Sequence, residues 1–305
     1  MASSALGSAS PTASSPGGVK VRGRAIRSIA VVGSRQITPL MRRITFGGAG
    51  VAELPDGPNI KLIFPPEGFA STQEGLERAV AAGQRPVVRT YSVRRHDREK
   101  AELDVDFLLH EPKGVASNWA VTASVGDVVG VGGPGSRKIR PASFYLFAGD
   151  HCALPAIAKA LEGLPDEAVG CAFIEIPDEA ERQSLAHPAG VSVHWLVGGD
   201  DPVLRPSRLV DAVTSLPWSF GQDVFVWVGA ESASVRAIRS YLRVERQLDR
   251  TMVLAVGYWK RGVSEDTYHD TDDNDRDADY HAVWREERHA LAKPAMHSER
   301  SEHIG

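Results

Sequence analysis

The stretch FYLFAGDHCALPAIAKAL, residues 144–161, joins an apolar run to a segment of helical composition through a Gly-Asp pair. Residues 144–148 are continuously apolar, which is typical of a strand buried on both faces in a parallel sheet. Residues 153–161 predict a helix that begins almost at once. A strand that passes through a short turn into a helix is the repeating unit of α/β folds.

The sequence downstream repeats this pattern. Four more continuous apolar runs predict buried strands at residues 169–176, 191–197, 224–228 and 252–256. Two intervening segments predict helices at residues 205–216 and 232–247. This alternation predicts a doubly wound parallel sheet, with ligands at the carboxyl ends of its strands.

The sequence before about residue 141 has a different pattern of apolar residues. Short β-prone runs broken by Gly and Pro predict strands at residues 29–32, 41–46, 59–64 and 87–93. Leu103, Val105 and Phe107 alternate with Asp104 and Asp106, as in a strand with one buried face. Strands at this spacing predict an antiparallel barrel or sandwich.

Length and composition set the outer limits. At 305 residues the chain is about twice a typical domain, and its 42% hydrophobic and 24% charged residues are ordinary for a globular protein. The net charge of −4 does not indicate the basic surface that nucleic-acid binding requires. We expect neither a membrane span nor a secretory signal. Two cysteines favour a reducing, cytoplasmic compartment and give no disulfide framework.

Composition and the pattern of apolar residues divide the chain into four segments. We expect a disordered N-terminus at residues 1–19, a β-barrel domain at 20–141, an α/β domain at 142–262 and a mobile tail at 263–305. The first segment is nearly all Ser, Ala, Gly and Pro, which cannot bury enough apolar surface to become ordered. The last segment is acidic and contains five of the ten histidines. A short helix is possible within it, and a calcium loop is not expected because the required Gly and Glu are missing.

The segment GVGGPG at residues 130–135 matches the dinucleotide pattern G-x-G-x-x-G letter for letter. That pattern binds phosphate only between a strand and a helix, where the N-terminus of the helix receives the anion. Pro134 removes an amide, and the sequence that follows leads towards another strand. We therefore predict a tight turn that ends the barrel.

The segment RTYS at residues 89–92 carries binding chemistry on a predicted strand. Arg89 and Tyr91 project to one face, while Thr90 and Ser92 project to the other. A planar cation and an aromatic hydroxyl on one face suit a phosphate and a flat ring.

A second segment, residues 106–120, reads as a strand, a turn with Gly114, and small residues at the start of a helix. The free amides of Val115, Ala116 and Ser117 would attract an anion, because they lie at the positive end of the helix dipole. The alternative interpretation is that Ser117 is an N-cap and Trp119 a core residue.

Four motifs together resemble the siderophore-interacting proteins, FAD-dependent ferric-siderophore reductases within the ferredoxin–NADP reductase superfamily. They are residues 89–92, 106–120 and 149–157, and the segment GYWKRG at 257–262, in this order. The resemblance runs from about residue 21 to residue 266. It implies a two-domain, ferredoxin–NADP reductase-like fold with an antiparallel FAD-binding β-barrel domain and a nucleotide-binding α/β domain with a parallel sheet.

The resemblance implies a role for each matching residue. Arg89 would hold the FAD phosphate, Tyr91 would lie along the isoalloxazine or ribityl chain beside Thr90, and Ser92 would reach the N5 edge. Asp106, Phe107 and His110 would line the flavin pocket. The remaining cofactor residues are those of the anion-binding turn, its supporting tryptophan, the strand ends that receive NADPH or NADH, and an aromatic pair beside the flavin: Val115, Ala116, Ser117, Trp119, Gly149, Asp150, Gly229, Glu231, Tyr258 and Trp259.

One position departs from the family pattern. Members commonly have Asp-Glu-Thr where this chain has Asp150, His151 and Cys152, which leaves the choice of electron donor open. Cys152 is either a small buried residue or an accessible thiol near the cofactor.

Reductase chemistry would need positive charge near the flavin, because ferric siderophores are bulky anions. Lys61, Lys138, Lys260 and Arg261 are our candidates for substrate contacts. Lys61 has a second interpretation, as a surface residue whose stem covers apolar neighbours.

The sequence therefore predicts a monomeric reductase that passes electrons from NADPH or NADH through FAD to a ferric siderophore. Ferredoxin is a possible alternative donor, and no protein metal site is expected. Two other functions stay open: a general flavin or ferredoxin-type reductase with another acceptor, and a non-catalytic module that binds FAD or siderophore.

Overall fold

A computed structural model describes residues 20–21, 24–25, 27–110, 114–135, 138–198, 205–221 and 223–292. The expected disordered segment at 1–19 and the last thirteen residues lie outside this part. Lys20–Val21 (β1) and Arg24–Ala25 (β2) form a small antiparallel pair ahead of the first domain.

The first domain is a seven-stranded antiparallel sheet wrapped around one core. Its strands are Arg27–Thr38 (β3), Met41–Gly47 (β4), Asn59–Phe64 (β5), Val87–Ser92 (β6), Arg95–Asp97 (β7), Glu102–Leu108 (β8) and Val128–Gly132 (β9). The strand order is β6-β5-β9-β3-β4-β8-β7. Three helices lie between strands: Ala49–Ala52 (α1), Gln73–Ala81 (α2) and Val115–Thr122 (α3).

The alternating pattern of β8 explains its orientation in this sheet. Val105 and Phe107 are buried in the core, in one cluster with Ile44, Phe46 and Leu62 from neighbouring strands. The expected strand is therefore confirmed, but the expectation of a single buried face is wrong, because Asp104 and Asp106 on the other face are each 5% exposed and paired with arginines.

The second domain is the expected parallel sheet. Its strands are Phe144–Gly149 (β10), Val169–Ile176 (β11), Gly190–Val197 (β12), Val224–Glu231 (β13) and Val253–Trp259 (β14), in the order β12-β11-β10-β13-β14. The helices are Leu154–Glu162 (α4), Arg205–Thr214 (α5) and Ser232–Ser240 (α6). The predicted helix at 232–247 is shorter than expected, because residues Tyr241–Glu245 form a π-helical turn.

Gly149 shows why β10 can lead directly into α4. A Cβ at this position would lie 2.7 Å from Ile157 Cδ1, 2.8 Å from Ala153 Cβ and 2.9 Å from the carbonyl oxygen of Gly229. Only glycine fits at this junction of strand, helix and neighbouring strand, at the point where the strand order of the sheet reverses.

The predicted mobile tail at 263–305 is wrong for its described part. Residues Glu265–Asp272 (α7) and Ala278–Ala292 (α8) are helical, and Tyr268 is fully buried against β14. The Tyr268 hydroxyl donates to Asp275 Oδ2 at 2.5 Å, and Arg236 pairs with the same carboxylate at 3.0 Å. Acidic residues of this segment therefore neutralise basic residues of the second domain.

The GVGGPG segment forms the end of β9 and the loop after it, and the next element in the described chain is β10. No helix among the described residues starts at this loop, which agrees with the predicted turn. None of the described helices has the length and apolar character that crossing a bilayer requires.

Candidate active site

An aromatic cluster supports the RTYS strand from inside the barrel. The Tyr91 and Phe107 ring centroids are 4.4 Å apart, and Trp119 packs on Phe107 at 5.8 Å and on Phe46 at 6.1 Å. The Trp119 indole donates to Ser71 Oγ at 3.1 Å, so the ring is fixed in the core. Burial raises the pKa of Tyr91, which keeps its hydroxyl protonated.

Two residues expected in the flavin pocket have other roles. Phe107 is 0% exposed, so it supports Tyr91 and presents no surface to a ligand. Asp106 lies on the opposite face of β8, where Arg43 donates to both carboxylate oxygens at 2.6 and 2.8 Å. Both oxygens of the Asp106 carboxylate are therefore paired with Arg43, and they are not available to line a flavin pocket. His110 is exposed, and the three residues after it lie outside the described part.

The start of α3 leaves polar groups without partners in the described part of the chain. Its N-cap is Gly114, which provides no side-chain cap, so the interpretation of Ser117 as an N-cap is wrong. The first-turn amides of Val115, Ala116 and Ser117 have no partners within the helix. Ser117 is only 3% exposed, and its Oγ has no hydrogen-bond partner among the described residues. A buried hydroxyl without a partner is costly, which fits a site built for a phosphate group.

Arg89 is held by carboxylates from helix α7. Its Nη1 donates to Asp266 Oδ1 at 2.8 Å, and its Nε lies 3.4 Å from Glu265 Oε2. The Thr90 amide donates to Glu265 Oε1 at 3.0 Å. Burial raises the pKa of Glu265, against the opposing effects of the Thr90 hydrogen bond and the Arg89 charge.

Sequence reasoning missed this acidic pair, although a local signal was present. Ser264 precedes Glu265 and Asp266 and accepts a hydrogen bond from the Thr267 amide at 3.3 Å, as an N-cap does. A cap followed by two acids predicts a helix start directly after the GYWKRG motif.

The two domains meet where β14 reaches the end of β6. The Tyr258 hydroxyl lies 3.5 Å from Ser92 Oγ, and burial raises the pKa of Tyr258 to about 12. The Tyr258 ring packs edge-on against Trp227, with ring centroids 6.0 Å apart. Ser92 and Tyr258, each expected beside the flavin, therefore lie next to one another.

Asp150 joins three strand ends of the parallel sheet. It accepts hydrogen bonds from Trp259 Nε1 at 2.7 Å, the Glu231 amide at 2.9 Å and the Cys152 amide at 3.0 Å. Burial raises the pKa of Asp150 to about 6 even though these bonds oppose the shift. The carboxylate therefore positions Trp259 and the end of β13, with Gly229 buried beside it.

Glu231 is the N-cap of α6 and accepts from the Ala233 amide at 2.6 Å. The amide of Arg261 also donates to this carboxylate, at 3.3 Å. These bonds hold the loop after β14 over the end of β13.

The expected basic residues occupy different settings. Lys61 Nζ donates to Thr90 Oγ1 at 2.9 Å, which places it directly beside the RTYS strand. Lys260 pairs with Asp272 at 2.7 Å, and the Arg261 guanidinium lies 5.9 Å from the Trp259 ring centroid. Lys138 is exposed after the barrel-ending loop. The structure therefore places Lys61 beside Thr90 of the RTYS strand and gives Lys260 an acidic partner.

Of the two residues that depart from the family pattern, His151 is enclosed and Cys152 is half-buried. His151 is buried, and its Nε2 lies 3.2 Å from Glu181 Oε2, itself 1% exposed. Burial lowers the pKa of His151, while Glu181 opposes the shift. Glu181 also accepts from Thr38 Oγ1 at 2.5 Å and from the Leu40 amide at 2.8 Å, so it connects the two domains. Burial raises the pKa of the Cys152 thiol, which keeps the thiol protonated. The side chain is half-buried, so both interpretations, a small buried residue and an accessible thiol near the cofactor, stay open.

Within the described residues, no three His, Cys, Asp or Glu side chains are grouped so that they could hold a metal ion. The groups that could contact a ligand are the unpaired amides and hydroxyl at the start of α3, the aromatic ring of Tyr91 and the hydroxyls of Ser92 and Tyr258.

Comparison with known proteins agrees with this geometry. Residues 30–138 match the siderophore-interacting FAD-binding domain, and residues 142–262 match the siderophore-interacting protein domain. The ferric vibriobactin reductase ViuB of Vibrio cholerae is 33% identical over 254 residues, which cover 80% of this chain and 93% of ViuB. The NADPH-dependent ferric-chelate reductase of Escherichia coli is 30% identical over 246 residues, which cover 76% of this chain and 92% of the relative.

A solved structure shows the same architecture. The siderophore-interacting protein SipS from Aeromonas hydrophila is 36% identical, with a TM-score of 0.72 over 80% of this chain and 95% of SipS. The matched domains span both halves of the chain, and the relatives are matched over nearly their full lengths. The chain belongs to the siderophore-interacting protein family, with an FAD-binding first domain.

Proposed function

We propose that this protein is a ferric-siderophore reductase, which uses FAD to pass electrons from a nicotinamide nucleotide to Fe(III). The observation that carries the proposal is the start of α3, where the buried Ser117 Oγ has no partner among the described residues and three first-turn amides have none within the helix. FAD, when bound, accepts hydride from the nucleotide and delivers electrons one at a time to an acceptor.

The residues of the first domain would hold this cofactor. The amides of Val115, Ala116 and Ser117 and the guanidinium of Arg89 supply donors for the two phosphates. Tyr91, fixed by Phe107, would lie against the flavin, and Ser92 would donate at its edge. Trp119 holds the start of α3 in place through its contacts inside the barrel.

The second domain would present the electron donor. Gly149, Asp150, Gly229 and Glu231 surround the carboxyl ends of β10 and β13, where open α/β sheets bind nucleotides. Asp150 and Glu231 are engaged in hydrogen bonds within the protein, so they would shape this site and leave ligand contact to the neighbouring backbone. We place the protein in the cytoplasm, because reduced nucleotide is supplied there and the free thiols of Cys152 and Cys171 would persist there. We propose that it acts as a monomer.

The substrate would approach from the side of Lys61. Siderophores hold Fe(III) through hard, anionic oxygen ligands, which bind Fe(II) far less well, so one electron releases the metal. Lys61 offers an exposed cation beside the RTYS strand, with Lys138, Lys260 and Arg261 as further candidates. Iron is cargo of the substrate in this scheme and has no protein ligands.

Spectroscopy of the purified protein tests the proposal. The protein should be yellow, lose its flavin absorbance under anaerobic NADPH or NADH, and produce Fe(II) from a ferric siderophore in steady-state assays. A yellow protein bleached by neither nucleotide, but reduced by ferredoxin, would change the donor. Bound flavin with no turnover under any donor would leave a non-catalytic binding module. Rapid turnover of free flavins, with no preference for ferric chelates, would indicate a general flavin reductase.

A further inference from the structure

A buried carboxylate joins the two domains at the turn between β3 and β4. Glu181 follows β11 of the second domain and is 1% exposed. Its Oε1 accepts from the Leu40 amide at 2.8 Å and its Oε2 from the Thr38 hydroxyl at 2.5 Å, and both donors belong to the first domain. A buried carboxylate is costly without such partners, so these bonds favour one arrangement of the two domains.

The backbone of Glu181 is held within its own domain. The residue ends a single 3₁₀ turn, Glu179–Glu181, whose N-cap Asp178 accepts from the Ala180 amide at 2.8 Å. The Glu181 amide donates to the Asp178 carbonyl oxygen at 3.1 Å. A hydrogen-bonded turn therefore presents the carboxylate to the first domain.

His151 lies against the same carboxylate. Its Nε2 is 3.2 Å from Glu181 Oε2, and the two side chains are 8% and 1% exposed. This nitrogen has no aligned hydrogen bond in the described part of the chain, so the carboxylate is what compensates its burial. A second carboxylate at position 151 would instead place two like charges in one buried site, where both cannot stay ionised. The imidazole is therefore chemically matched to Glu181.

His151 connects this contact to the end of the parallel sheet. It directly follows Asp150, whose carboxylate accepts from Trp259 and from the amides of Glu231 and Cys152. One peptide bond therefore separates the Glu181 contact from the residue that joins the ends of β10, β13 and β14. A shift of the β3–β4 turn relative to the second domain would move His151, and with it the backbone of residues 150–152.

Another contact between the domains is more exposed. Arg94 of the first domain pairs with Glu162 at the end of α4, and these side chains are 15% and 35% exposed. Water and salt screen such a pair more than a fully buried one. The contact through Glu181 therefore constrains the arrangement of the domains more strongly.

We propose that His151 is a positioning residue of the reductase, which acts through Glu181 to set the distance between residues 150–152 and the first domain. This distance determines how well the nicotinamide is aligned on the flavin. The inference rests on the proposed function, because the step that it aligns is the transfer of hydride, with both electrons, from the nucleotide to FAD. A misplacement of about 1 Å can lower the rate of such a step by about a hundredfold.

Hydrogen exchange of the Leu40 amide measures the contact without turnover. In the full-length protein, His151→Glu places a second carboxylate beside Glu181 and should speed this exchange about tenfold. Adding Glu181→Gln restores a donor opposite the new carboxylate and should return exchange to within about twofold of the parent. His151→Gln, whose amide nitrogen can replace Nε2, should also stay within about twofold. His194→Glu makes the same substitution at an exposed position on β12 and is the matched control.

Stopped-flow kinetics test the positioning role. His151→Glu should lower the limiting rate of anaerobic flavin reduction by about tenfold, while FAD content and the half-saturating nucleotide concentration stay within about twofold. Reoxidation of the flavin by a ferric siderophore involves no hydride and should not change. The added Glu181→Gln should restore about a third or more of the parent rate.

Two kinds of failure are distinguishable. If no nucleotide reduces the flavin of the parent while exchange at Leu40 responds as expected, the proposed function fails and the contact through Glu181 stands. Unchanged exchange in His151→Glu, or faster exchange with an unchanged rate of flavin reduction, would overturn the positioning role. Slow flavin reduction that Glu181→Gln does not restore would overturn it as well.

Discussion

The contact between Arg89 and helix α7 leads to a prediction about FAD affinity. Glu265 and Asp266 lie at the guanidinium group, and Glu265 also accepts from the Thr90 amide. The phosphates of FAD are anions that need the same donors. We therefore expect the double variant Glu265→Gln, Asp266→Asn to bind FAD more tightly than the parent.

The size of the effect follows from the exposure of the two carboxylates. The Asp266 and Glu265 side chains are 63% and 32% exposed, so each pair with Arg89 contributes about 0.5–1 kcal/mol. Removing both charges should lower the dissociation constant of FAD by roughly five- to thirtyfold, at about 1.4 kcal/mol per factor of ten. The gain should shrink with added salt, because exposed charges are screened.

Quenching of flavin fluorescence, in titrations of the FAD-depleted protein, measures this constant. Asp270→Asn is the matched control, since it removes one negative charge from an exposed position on the same helix. Weaker or unchanged FAD binding in the double variant, with normal binding in the control, would show that the carboxylates orient Arg89 and do not compete with the phosphates.

Four further changes test separate parts of the structure. Ser117→Ala should weaken FAD binding about three- to tenfold without lowering the melting temperature, because the hydroxyl has no partner in the described protein; a loss of thermal stability would contradict this. Asp106→Ala leaves the Arg43 charge partly buried and should cost about 3–5 kcal/mol in urea unfolding, with the flavin spectrum of the folded protein retained; a loss under 1 kcal/mol would refute the pairing argument. Since burial raises the pKa of Asp150 to about 6, the folded state binds more protons than the unfolded state between about pH 4 and 6. The stability contribution of Asp150 therefore falls as pH rises through this window, and Asp150→Asn should remove that fall in urea titrations; the same pH dependence in the variant would argue against the shift. Lys61→Ala should raise the KM for anionic ferric complexes and spare FAD content, whereas equal kinetics with charged and neutral chelates in both proteins would remove Lys61 from the substrate site.

The sequence predicted the architecture because burial leaves a local periodic signal. Continuous apolar runs marked the strands of the parallel sheet, and the alternation of Val105 and Phe107 with acids marked β8. The sequence also placed Gly149 at the end of a strand, and the structure shows the steric reason for glycine there.

The contacts between distant segments were not predictable in this way. Arg89 and Asp266 are 177 positions apart, and Thr38 and Glu181 are 143 apart. Nothing local to either residue specifies its partner, since ion pairs depend on how the domains and the C-terminal helices pack. The same reason explains Asp106, whose alternation with apolar residues indicated a face of the strand but not the Arg43 that covers it.

The central claim is that electrons reach Fe(III) through bound FAD, and a single-turnover titration tests it directly. Flavin in the protein is first reduced by one equivalent of NADPH without oxygen, and a ferric siderophore is then added in small steps with an Fe(II) chelator present. Flavin absorbance should return fully as two Fe(II) ions form per flavin, because two electrons are stored and each iron takes one. Flavin that stays bleached in the presence of excess ferric siderophore, yet reoxidises when air is admitted, would contradict this claim.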